Sequence, residues 1–124
     1  MDTALWIIAS LLAAVFAGAG LMKLAKDKAA LVSSGQGWAE DLPAGLVKAI
    51  GALEVLAAIG LIAPPLVGTA EALVPLAGAG LVLLMLGAMA VHVRRREIPN
   101  IVVNVVLAAL SFFLAVQRFG DHAF

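Results

Sequence analysis

Three stretches of this chain run for 20 residues or more without a charge: Thr3 to Met22, Ala72 to Val93 and Ile98 to Gln117. A helix crosses the hydrocarbon of a bilayer with about 20 consecutive apolar residues, so each stretch is long enough to span. A fourth, Pro43 to Ala63, is equally apolar but holds Lys48 and Glu54. Ala, Leu and Val dominate all four, whereas a membrane barrel would alternate polar and apolar residues. The expected fold class is therefore all-α: an integral membrane four-helix bundle with spans at 3–22, 43–63, 72–93 and 98–117. Water is a poor alternative solvent. The chain is 64% hydrophobic and 13% charged, and a domain of this size leaves much of its surface outside. Residues 1–124 are expected to form one domain.

The same residues exclude several functions. Eight Lys and Arg balance eight Asp and Glu, which leaves no electrostatic footprint for nucleic acid. Cysteine is absent, so disulfides, thiolate chemistry, iron–sulfur clusters and Cys-zinc sites are excluded for the chain acting alone. One span histidine, His92, does not supply bis-histidine haem ligation, and His122 is expected at the opposite end. No cluster of metal-ligand spacing occurs. Gly-Ala-Gly-Leu recurs at 18–21 and 78–81, but with no preceding strand it is not a phosphate loop. The cofactor stays unknown, since no motif for a metal, nucleotide or haem is present; a quinone is one candidate.

The connections set an expected topology. Lys23 to Leu42 reads as a loop of mixed charge whose Trp38 suits an interfacial anchor. Pro64-Pro65 is expected to end the second helix, because proline lacks a donor and clashes with the preceding turn. The short turn Arg94–Pro99 makes the third and fourth spans antiparallel neighbours. Lys23, Lys26 and Lys28 share one side with the basic cluster Arg94, Arg95 and Arg96, which orients the chain and touches anionic lipid. The positive-inside rule puts loops 23–42 and 94–99 in the cytoplasm and both termini outside, in a multi-pass cell-membrane protein. Ala17-Gly18-Ala19 offers the small residues of a signal cleavage site, but no basic residue precedes the first span.

Polar groups inside the spans are the candidates for function. Glu54 lies 11 residues beyond Pro43, about 16 Å along a helix and near the middle of the slab. Such a carboxyl is a ligand-binding or proton-handling group, or a hydrogen-bonded staple between helices. It is expected to face the interior beside a polar neighbour, with Asn104 the leading candidate and Lys23 or Lys48 the charged alternatives. Lys23 and Lys48 otherwise snorkel to the headgroups. Asn100, Asn104, Ser111 and Arg118 fall on one face at helical spacing, so that face should be buried, with Phe112 or Phe113 turned to lipid. His92 is a proton relay or a residue at the mouth of a cavity.

These residues resemble a known family. Gly20-Leu21-Met22-Lys23-Leu24 resembles the G-x-x-K-L signature of the DoxX-like membrane proteins. Gly51-Ala52-Leu53-Glu54, then Gly60-Leu61 and Pro64-Pro65, is similar to that family's G-x-x-E and G-L-x-x-P pattern. Ala88, His92 and Arg94–Arg96 look like its third-helix ending, and Asn104 and Arg118 stand where it often has Asn and Arg. The resemblance covers the whole chain. It implies a four-helix membrane protein, with longer relatives that include subunits of quinone-linked thiosulfate oxidation. More distantly, the pattern looks like the four-helix sterol-isomerase and sigma-2-type proteins, which hold ligands with buried acids.

Three functions stand open at this point. The bundle binds a lipid, quinone or other apolar molecule around Glu54 and Asn104, with Lys23 and His92 as further polar candidates. Or it is an accessory subunit, partnered by other membrane proteins or its own copies. Or it is a membrane oxidoreductase, the reading with least support, since no redox residue is present. A buried cavity touching Glu54 would separate the first from the second.

Overall fold

A computed structural model of the chain describes residues 2–68, 70–120 and 123; His122 lies outside these. Four long helices account for most of them: α1 (Asp2–Ala25), α3 (Ala44–Val67), α4 (Leu73–Arg94) and α5 (Ile98–Phe119). Each is long and apolar enough to cross a membrane. Among the described residues there is no strand. The first connection is ordered rather than a plain loop, with a short helix α2 (Lys28–Ser33) and a 3-10 turn at Gly37–Asp41. Asp27 starts α2 by accepting the Ala30 N–H at 2.7 Å, the usual work of an N-cap carboxylate.

Each long helix buries one narrow stripe. On α1 it is Leu5, Ala9, Leu12, Phe16, Gly20 and Lys23, and on α3 Val47, Gly51, Glu54, Ala58, Leu61 and Pro64. The spacing of three and four residues is that of one helix face. The opposite faces carry Leu11, Leu56, Leu83 and Phe112, all more than half exposed. In water such a surface would collapse or aggregate; in lipid it is the solvated side. The expected stripe on α5 is buried, with Asn104, Ser111 and Arg118 inside and Phe112 and Phe113 outward.

The helices form a ring in which α1 packs chiefly on α3 and α4 on α5, while α3 meets α4 and α1 touches α5. Glycine sets the tightest crossing. A Cβ added to Gly20 would lie 2.6 Å from the Gly51 carbonyl oxygen, and one added to Gly51 would lie 2.8 Å from the Lys23 Cβ. Backbones approach this closely only where small residues face each other. Gly78 repeats the device between α4 and α5, where its Cβ would stand 3.1 Å from the Ser111 carbonyl.

Three expectations need correction. Pro64 and Pro65 do not end α3, which runs on to Val67. Without water to satisfy freed backbone groups, a helix in lipid holds its turns past a proline. It stops at Gly68, whose φ of 72° lets its N–H return to the Pro64 carbonyl. Trp38 is not an interfacial anchor: it is 8% exposed and packs with Leu31, Ala39 and Val47, because the 3-10 turn folds it under the bundle's end. Lys48 does not snorkel. Its Nζ donates to the carbonyls of Leu24 (2.8 Å) and Lys26 (2.6 Å), where the negative end of the α1 dipole attracts a cation. At the other end of α1, Asp2 pairs with Arg118 of α5 at 3.1 Å.

The glycine contacts make a paired prediction. Gly51→Ala should push α1 from α3 and lower stability by about 1–3 kcal/mol, the usual effect of overpacking. Gly80→Ala, whose Cβ meets nothing within 4 Å, should be neutral or stabilising. Thermal unfolding of both variants in one detergent checks the contrast.

Candidate functional site

The end of the bundle bearing the 26–43 and 95–97 connections, here the basic end, holds the buried polar residues Lys23, Glu54, His92 and Asn104, while Arg118 is buried at the opposite end beside Asp2. There a cavity of about 1010 Å³ lies among α1, α3, α4 and α5. Its walls are apolar, and Lys23, Gln36, Trp38, Glu54, His92, Asn100 and Asn104 line its polar end. The candidates Glu54, Asn104, His92 and Lys23 thus meet at one space. Ser111 does not; it packs at the Gly78 crossing instead.

Lys23, not Asn104, is the partner of Glu54. Its Nζ stands 2.6 Å from Oε1, with side-chain exposures of 11% and 4%. The contact is a close ion pair. Lys23 was expected at the membrane surface, half a slab from Glu54. Helix geometry closes that gap. The α1 helix runs on to Ala25, so Lys23 is level with Gly51, one turn from Glu54. Side chains tilt toward their own helix N-terminus. Since α1 and α3 are antiparallel, Lys23 leans into the bundle while Glu54 leans back toward it. The Gly20/Gly51 crossing brings the two stems together. Lys23 therefore does not snorkel to the headgroups.

Trp38 and His92 complete this end. The Lys23 ammonium lies 5.4 Å from the Trp38 ring centroid, within cation–π range. His92 meets the same indole edge-on at 6.4 Å, and the indole N–H donates to Gln36 Oε1 at 2.7 Å. His92 Nδ1 is 2.8 Å from Glu97 Oε1. A carboxylate only accepts, so Nδ1 carries the hydrogen in this contact. The Asn100 amide stands 3.4 Å from the same Nδ1. Arg95 pairs with Asp41 at 3.0 Å and Glu97 at 3.5 Å. Its hydrogen bond to Asp41, then the two carboxylate charges, raise its pKa against partial desolvation. The basic cluster thus divides: Arg94 and Arg96 are exposed, while Arg95 clasps the 3-10 turn over the cavity.

Asn104 keeps a donor in reserve. It is 7% exposed and lines the cavity, yet its Nδ2 has no hydrogen-bond partner. A polar group held this way in apolar surroundings is costly. Gln36, Trp38 and Glu97 were not foreseen as site residues. The signal for the ion pair was present: Gly20-x-x-Lys23 and Gly51-x-x-Glu54 are the same spacing on two antiparallel helices. No group of three or more His, Cys, Asp or Glu able to hold a metal occurs among the described residues.

Breaking the pair should cost more than deleting it. Glu54→Gln or Lys23→Met alone leaves one partner unmatched, and each should lower stability by about 3–5 kcal/mol. The double variant Lys23→Met/Glu54→Gln should recover much of that loss. A thermal-unfolding double-mutant cycle measures the coupling, and additive effects would refute the pairing.

In comparison with known proteins, residues 7–114 match the DoxX-like family. No curated protein and no solved structure matches the chain.

Proposed function

The chain belongs to the DoxX-like family, and from that premise and the cavity we propose that it is a membrane binding protein for one small apolar or amphiphilic molecule. The observation that carries this is the joining of an apolar chamber of about 1010 Å³ to buried polar groups, one of them without a partner. Ligand sites are built this way, with apolar walls and a few placed polar atoms that fix orientation. Lys23 and Glu54 hold the polar end open and shaped, and Asn104 and His92 add an amide and an imidazole to its wall. Lipid and quinone both have the required form, a polar head on an apolar body. An accessory-subunit role has one observation on its side. Ser10, Ala14 and Gly18 form an exposed small-residue stripe on α1, which suits helix association. The chamber carries more weight, because a purely docking subunit has no use for a buried unpaired donor. The oxidoreductase reading gains no support from these residues.

Asn104→Leu separates binding from stapling. If Asn104 serves a ligand, the variant should match or exceed wild-type stability, since it removes an unsatisfied buried amide. It should also lose the small molecule that native mass spectrometry finds on protein purified gently from membranes. A wild-type protein without any retained molecule, together with a destabilised Asn104→Leu, would defeat the proposal.

For the chain's setting we propose the cell membrane, with the basic end in the cytoplasm. Ser33 and Arg94 are exposed there, and no native cysteine interferes. Single cysteines at these positions should resist an impermeant maleimide in intact cells and react after permeabilisation. Labelling from outside would reverse the orientation.

A further inference from the structure

The cavity is closed at the basic end and open at the side. Gln36, Trp38 and Leu42 cover it there, and the Arg95–Asp41 ion pair holds the cover to α4. Toward the far end α3 and α4 meet, where a Cβ on Gly60 would stand 3.3 Å from the Ala77 Cβ. Between those limits the lining residues Leu53 and Leu56 of α3 and Leu83 of α4 are each more than half exposed. They line the cavity and the outer surface together, so the chamber opens between α3 and α4 into the hydrocarbon. Gly80 and Gly87 lie along the α4 side of this opening, and a Cβ on either would meet nothing within 4 Å.

The charges of the lining select among ligands. Among the described residues Lys23 is the only lysine or arginine in the wall, and Glu54 neutralises it at 2.6 Å. Lys48 is taken up by the Leu24 and Lys26 carbonyls, and Arg95 by Asp41 and Glu97. No uncommitted cation is left to receive an anionic head, whose burial without one is costly. A plain hydrocarbon would leave the polar end of the wall, Asn100 and Asn104 included, facing an apolar molecule. What meets both conditions is an uncharged polar head.

We infer that the chamber is loaded sideways from the bilayer, between α3 and α4, by an amphiphile with an uncharged polar head such as an ester, amide or alcohol. The head lies against Asn104 beside the Lys23–Glu54 pair, and the chain lies along Leu53 and Leu83 toward lipid. This rests on the binding role proposed above and adds the ligand's charge class and its route.

Trp38 reports occupancy. It is buried at 8% exposure and lines the cavity, and Trp6→Phe leaves it the only indole in the chain. Brominated acyl chains quench tryptophan on contact. The Trp6→Phe protein in nanodiscs is titrated with a monoacylglycerol bearing a dibrominated chain and with an alkyl sulfate bearing the same chain. The monoacylglycerol should quench Trp38 saturably, and unlabelled monoacylglycerol should reverse it. The sulfate should bind at least about tenfold more weakly, a difference of about 1.4 kcal/mol. Gly80→Phe and, independently, Gly87→Phe should remove the quenching while thermal unfolding stays at the parent value. Equal quenching by the sulfate would overturn the charge selection and leave the binding role standing. Full quenching in both stably folded phenylalanine variants would overturn the side entrance. Absence of quenching by either probe would overturn the inference and the binding role together.

Discussion

The ion pair between Lys23 and Glu54 is the constraint from which the rest of this bundle is arranged. Two opposite charges within the span of the helices are tolerable only at contact distance, since each alone would face hydrocarbon. Contact requires the α1 and α3 backbones to approach closely, which is why Gly20 and Gly51 face each other at the crossing. It also requires the helices to run antiparallel, so that the tilts of the two side chains converge. The pair and the glycines are one device: the charges need the crossing, and the crossing places the charges.

Space at the basic end follows from that arrangement. With α1 held to α3 and α4 to α5, the two pairs are joined more lightly at α3–α4 and α1–α5. The α3–α4 seam is tight at Gly60 and Ala77 and relaxed nearer Glu54, and there the chamber lies. Its polar residues come from every long helix and from the 3-10 turn. Trp38 links them, touching Lys23 on one side and His92 on the other. Beyond His92, Glu97 and Arg95 carry a line of charged contacts to Asp41 at the surface. Arg95 therefore joins the cover of the chamber to the α4–α5 turn, a structural task that composition alone would assign to lipid contact.

What was legible beforehand was what depends on one helix at a time. Uncharged runs of 20 residues or more set three of the four spans, and an apolar run of the same length the other, because hydrocarbon thickness is a length that sequence can be measured against. The Asn104, Ser111 and Arg118 face was legible because periodicity places residues on one side of a helix without reference to its neighbours. Depth reckoned along a single helix failed for Lys23 and Glu54. It counts Cα rise and omits side-chain tilt and the offset between two helices. Pro64-Pro65 misled for a related reason: the rule that proline stops a helix assumes water for the freed carbonyls, and α3 continues to Gly68 without it.

By itself the sequence determined that this chain lives in a membrane, how many times it crosses, and which polar residues turn inward. All of these follow from transfer free energy and helical period, both properties of local composition. Tertiary structure alone decided that Glu54 meets Lys23 rather than Asn104, that Trp38 roofs a chamber, and that Asn104 is left with an unused donor. Those outcomes depend on the relative height and closeness of two helices distant in the chain. That geometry was set by where glycine permits backbones to touch, which no single segment specifies.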